Sequence, residues 1–96
     1  MIAHIVLFTL KESTPEGIEK AKELLLSMEG KVEMLRQLEV GVDVIRSPRS
    51  ADIALYTRFD SLEDLQAYQV HPYHADTVAA YMRSVCSSVV AADYHC

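Results

Sequence analysis

The 96-residue sequence predicts an α+β fold, a four-stranded antiparallel sheet with its helices on one face. Three observations predict it. Residues 2–10 are almost wholly apolar and rich in β-branched side chains, as a strand covered on both faces must be. Two helix starts, Thr14-Pro15-Glu16 and Ser61-Leu62-Glu63-Asp64, each open a stretch with apolar residues at helical spacing. Alternating or β-branched runs at 37–45, 53–59 and 87–94 supply the remaining strands.

In the first strand Ile2, His4, Val6, Phe8 and Leu10 share a face, so His4 is a polar side chain in an apolar row. Thr14 offers a capping hydroxyl, Pro15 suits the first helical position, and Ile18, Ala21, Leu24, Leu25 and Met28 form one buried stripe. Gln37 to Ile45 then alternates, with Leu38, Val40, Val42 and Val44 on one side. Arg46 to Asp52 reads as a loop, and Ile53 to Phe59 as the third strand. The helix after Ser61 aligns Leu62, Leu65 and Tyr68. It must stop by about Val70, because Pro72 disfavours helical geometry at His71. Pro72 opens a new helix with Ala75, Val78, Met82 and Val85 as its stripe, and Ser87 to Tyr94 closes the sheet. His95 and Cys96 read as frayed ends.

This βαββαβ order is the ferredoxin-like arrangement, with both crossovers on one face of the sheet. Residues 1–96 read as a single domain. The first strand and much of the third are too apolar on both faces to be left wet, so a second copy is expected to cover the other face, giving a homodimer through the sheet face.

Nine Lys and Arg against fourteen Asp and Glu give a formal charge of −5, with no basic cluster. A nucleic-acid or anionic-membrane partner is therefore not expected. No run is long and apolar enough to span a bilayer, no signal peptide is legible, and Cys86 and Cys96 form no disulfide or zinc spacing. A cytoplasmic protein is the expectation.

The unusual chemistry lies in Tyr68-Gln69-Val70-His71-Pro72-Tyr73-His74. Together with His4-Ile-Val-Leu-Phe8, Val40-Gly41-Val42, Phe59-Asp60-Ser61-Leu62-Glu63-Asp64-Leu65 and Val89-Val90-Ala91-Ala92-Asp93-Tyr94, it resembles the stress-responsive dimeric α/β-barrel (Dabb) family across nearly the whole chain. The resemblance implies protomers paired into a dimeric α/β barrel, each with a cavity between sheet and helices. One plant member of that family is a polyketide cyclase that closes a ring by aldol chemistry. Its tyrosine and catalytic histidine match Tyr68 and His74, its first-strand histidine His4, and its His-Pro histidine His71. Ile53 stands where that cyclase carries a further cavity histidine. Related barrel families include small oxygenases and haem-binding enzymes, so an oxidative role also stays open.

His74, His4 and Tyr68 are thus the candidate catalytic residues, and His71 and Phe8 the candidate ligand contacts. A neutral His74 suits a general base, and the Tyr68 phenol could donate to a developing enolate oxygen. The plainer reading stands beside each. His71 before proline caps the preceding helix, His4 is a satisfied core histidine, Tyr68 packs with Leu62 and Leu65, and His74 covers the sheet edge. His71-x-x-His74 lacks a third ligand, so neither a metal nor a cofactor is expected. Two functions remain: cofactor-free acid/base chemistry on a carbonyl or polyketide-like compound, or a non-catalytic, stress-related dimerisation module.

Overall fold

β1 (Ile2–Leu10) runs through the middle of the sheet in a computed structural model that describes residues 1–96. It pairs antiparallel with β3 (Ile53–Phe59) on one side and β4 (Cys86–His95) on the other, while β2 (Gln37–Val42) edges β3, giving the order β2-β3-β1-β4. Neighbouring strands on both sides satisfy most of the β1 backbone, which is why that strand tolerates so apolar a sequence. Its inward row of Ile2, Val6, Phe8 and Leu10 is buried together with His4, while Leu7 on the opposite face is 40 % exposed. The order and the one-sided helices make this the expected ferredoxin-like fold.

The helices start where the capping chemistry places them. In α1 (Pro15–Leu26) the Thr14 hydroxyl accepts from the Gly17 N–H at 3.0 Å, and Ala21 and Leu25 are buried. In α2 (Leu62–Val70) Ser61 accepts from the Asp64 N–H at 3.2 Å. His71 leaves helical geometry at ψ 130°, as the following proline demands. After Pro72 the chain winds as a π-helical segment (Tyr73–Ala79) before tightening into α3 (Ala80–Val85). Val78 and Met82 bury as expected, but Ala75 and Val85 stay half-buried, because the wider turn rotates the stripe away from 3.6-residue spacing.

Two strand boundaries correct the sequence reading. β2 ends at Val42, the last residue paired with β3, and Val44 and Ile45 are 86 % and 75 % exposed. There the Asp43 carboxylate accepts from the Arg46 N–H at 2.6 Å and turns the chain, with Arg46 at φ 58°. At the other end His95 and Cys96 are not frayed. His95 pairs with Ile2, and the Cys96 N–H donates to the Met1 carbonyl at 3.0 Å.

One buried carboxylate ties these parts together. Asp52 is 3 % exposed and accepts from the Leu10 N–H, the Ser13 hydroxyl and the Arg46 guanidinium, each at 2.7 Å. Burial pushes its carboxyl up, but the three donors outweigh burial and hold it below its ordinary value. The bonds join the end of β1, the lead into α1 and the β2–β3 loop. Asp52→Ala leaves the Leu10 N–H orphaned inside the protein, at about 2–4 kcal/mol. Thermal unfolding of this variant is expected roughly 10–20 °C below wild type, with Asp52→Asn intermediate. An Asp52→Ala melting temperature within 3 °C or so of wild type would show that the knot is not structural.

Candidate active site

Tyr68 is the pivot of the site. It lies near the end of α2 on the buried side, is 0 % exposed, and packs on Phe59 at 4.9 Å between ring centroids. The His74 ring, carried by the first turn of the π-helical segment, also stacks against it, at 4.1 Å and 34°. His4 on β1 meets Tyr68 edge-on at 5.9 Å. The proline break makes this possible, since it re-aims the chain after α2 and brings His74 back over Tyr68.

These three side chains line a cavity of about 340 Å³ between the sheet and the crossover helices. The remaining wall is mostly apolar, and Val6, Phe8, Leu55 and Met82 belong to it. A few polar groups in an apolar hollow of a few hundred cubic ångströms are the usual anatomy of a small-molecule site. Phe8 is therefore placed at the cavity. Ile53 is buried but does not line it; Leu55, two residues along β3, does.

His71 is placed elsewhere. Its Nδ1 accepts from the Tyr73 N–H at 3.2 Å and its Nε2 lies 3.3 Å from the Glu33 carboxylate, so both ring nitrogens serve the helix junction. It is not among the residues lining the cavity.

The three cavity rings differ in how they are satisfied. His4 Nδ1 bonds the Asp93 carboxylate, its register partner across the β1–β4 pairing. A carboxylate on Nδ1 fixes the ring's orientation. The Tyr68 hydroxyl donates only to the Met28 sulfur at 3.7 Å, a weak acceptor, and burial pushes its pKa well above the ordinary value. His74 Nδ1 is buried and has no hydrogen-bond partner. Burial lowers the His74 pKa, the nearby Gln69 carbonyl opposes that shift, and His4, His71 and Arg83 reinforce it. At neutral pH His74 is a neutral imidazole facing an apolar hollow.

Asp93, Gln69 and Arg83 were not singled out from the sequence. Asp93 had a signal, since it shares the inward parity of Val89 and Ala91 on β4, but its pairing with His4 depends on a register that strand patterns alone do not set. Gln69 and Arg83 adjoin the buried residues Tyr68 and Met82, and such flanking positions read as ordinary surface. No group of three or more His, Cys, Asp or Glu side chains is arranged to hold a metal ion, and no helix is long and apolar enough to cross a membrane.

An antiparallel ferredoxin-like sheet with a Tyr/His-lined cavity beneath its crossover helices defines the class. The chain belongs to the stress-responsive A/B barrel (Dabb) family, whose domain it matches over residues 2–96. It is 26 % identical over 97 residues to a stress-response A/B barrel domain-containing protein of Arabidopsis thaliana. That match takes in 98 % of this chain and spans 36 % of the relative's length, about a third. A dimeric ferredoxin-like protein of unknown function from Bacteroides fragilis superposes with a TM-score of 0.83 at 29 % identity, covering 99 % of this chain and 95 % of that one. The hydroxynitrile lyase of Passiflora edulis shares the fold at a TM-score of 0.83 and 17 % identity, covering 97 % of this chain and 90 % of its own.

Because the folded state lowers the His74 pKa, the unfolded chain takes up a proton there that the fold resists. This contribution to stability is complete above the ordinary value of 6.5 and is lost as pH falls below it toward the lowered folded value. Urea unfolding is expected to show wild type losing stability between pH 7 and pH 5 more steeply than His74→Gln. Parallel profiles for the two proteins would contradict a buried neutral imidazole.

Proposed function

We propose that this chain is a homodimeric small-molecule enzyme whose cavity moves a proton on an apolar carbonyl compound without a cofactor. The observation that carries the reading is the meeting of His4, Tyr68 and His74 on the wall of one mostly apolar cavity, with a buried His74 nitrogen unpartnered. A neutral imidazole beside a carbon acid is the group that takes its proton. His4, held by Asp93, is the second histidine available for proton transfer. The Tyr68 hydroxyl gives up only a thioether contact when it turns to a developing enolate oxygen, so donating to the enolate costs it little. Apolar walls would fold an extended chain onto itself, which suits a polyketide-like ring closure. The same fold serves Passiflora edulis as a hydroxynitrile lyase.

The dimer reading rests on the sheet face turned away from the helices. Leu7, Val90 and Tyr94 lie on it at 40 %, 54 % and 48 % exposure, with Leu7 and Val90 directly paired, and the Bacteroides fragilis protein of this fold is dimeric. The thiols of Cys86 and Cys96 are both free, which fits a reducing compartment such as the cytoplasm.

A second reading, a non-catalytic stress-related dimer, is favoured by one observation. Tyr68 is wholly buried and bonded within the core, as a purely structural tyrosine would be.

Hydrogen–deuterium exchange at the carbons flanking the carbonyl of 4-phenyl-2-butanone, followed by NMR in deuterated buffer, separates the two. Wild type is expected to accelerate exchange, and His74→Gln to lose about 100-fold or more of that acceleration. Exchange at the buffer rate with wild type, or an unaffected variant, would favour the structural reading. Sedimentation is expected to give a dimer at micromolar concentration and a monomer for the Leu7→Glu, Val90→Glu double variant. A monomeric wild type would rule out the dimer.

A further inference from the structure

The cavity has one polar feature that proton transfer does not use. Arg83, on α3 one residue beyond the buried Met82, lines the cavity while remaining solvent-exposed, so its side chain spans the cavity wall and the surface. It is the only Lys or Arg on the cavity wall, and no Asp or Glu lines that wall. The other paired groups of the molecule are accounted for: Arg36 with Asp60, Arg46 with Asp43 and Asp52, His4 with Asp93, and His71 with Glu33. Arg83 belongs to none of these pairs.

A guanidinium that borders an apolar hollow and belongs to no ion pair carries a charge that the protein itself leaves unmet. Arginine matches planar carboxylates with paired N–H donors, and such charge-assisted bonds are roughly twice as strong as neutral ones. His74, whose buried Nδ1 has no hydrogen-bond partner, lines the same cavity, so it and Arg83 are two polar groups on a wall that also carries His4, Tyr68 and Gln69 and is otherwise apolar. A neutral hydrocarbon-like ligand would answer neither. An apolar body with a carboxylate at one end and a polar atom within reach of His74 would answer both.

We infer that the cavity's ligand is an apolar carboxylic acid, bound as its anion, with the carboxylate held by Arg83. This rests on the small-molecule reading of the cavity and adds the class of ligand to it. Arg83 is then a specificity-determining residue rather than a participant in proton transfer. Its place between the cavity wall and the surface also orients the ligand, with the charged end toward water and the apolar body toward Phe8 and Leu55.

The test uses three matched probes, 4-butylbenzoate, 4-butylbenzamide and 4-butylphenyl phosphate, titrated into wild type, Arg83→Gln and Arg83→Lys. Binding is read by isothermal calorimetry and located by NMR shifts of the Val78 and Met82 methyls. Wild type is expected to bind the benzoate about tenfold more tightly than the amide, the size of one charge-assisted contact. Arg83→Gln should abolish that preference, Arg83→Lys should keep part of it, and raising salt should shrink it. Equal binding of benzoate and amide to wild type, with both shifting the cavity methyls, would overturn the carboxylate inference and leave the small-molecule reading standing. Tighter binding of the phosphate than of the benzoate would overturn the carboxylate assignment in favour of a phosphate ester. Failure of all three probes to shift the cavity methyls would overturn both readings together.

Discussion

Tyr68 is the contact on which fold and cavity both depend. Its ring packs against Phe59 on β3 and His74 on the π-helical segment, with His4 of β1 meeting it edge-on. One aromatic side chain therefore registers α2 against two strands and the start of the last crossover. Removing such a ring from a core typically costs about 3–5 kcal/mol, a large share of the stability of a domain this size. Each candidate catalytic histidine touches it, so the site is built onto the most constrained point of the core. That is an economical way to hold two imidazoles in place, because their positions are fixed by packing that the fold needs anyway.

Much of this architecture was legible in the residues. The inward row of β1 buries as its alternation implies, and Thr14 and Ser61 cap their helices with the hydroxyls that marked them. Pro72 breaks the crossover at His71, which explains why His71 is consumed by Tyr73 and Glu33 while His74 reaches the cavity. These features are local, set by caps and periodicity, and local rules read well from sequence. What escaped depends on long-range pairing. The alternation of Val42 and Val44 continues past the end of β2, yet no neighbouring strand exists there, and the Asp43 side chain turns the chain instead. The widened helix at 73–79 leaves no mark in hydrophobic spacing, and Asp93 becomes a partner of His4 only once the β1–β4 register is set.

The polar groups of the cavity are unevenly provided for, and the unevenness is informative. His4 has a carboxylate, the Tyr68 hydroxyl has only a sulfur, and His74 Nδ1 has nothing. A buried polar atom without a partner costs about 1–3 kcal/mol, and a protein under selection for stability alone would replace that imidazole with a hydrocarbon of similar size. Leucine or phenylalanine would fill the space against Tyr68 at no such penalty. Of the cavity's three rings, the His74 imidazole is thus the one least provided for by the chain itself.

The same reasoning separates His74 from His71, two histidines three residues apart with opposite standing. His71 satisfies both nitrogens within the protein, so its presence is accounted for by the helix junction, and a ligand would have to displace existing bonds to use it. His74 has an Nδ1 without a hydrogen-bond partner, on a ring stacked against Tyr68 with the Gln69 carbonyl nearby. Stacking fixes where a ring lies and leaves its lone pair and proton free, which is the condition a group needs to exchange a proton with a bound molecule. The backbone break at Pro72 thus divides the motif by position. One histidine is spent on making the turn, and the other is delivered by that turn to the cavity.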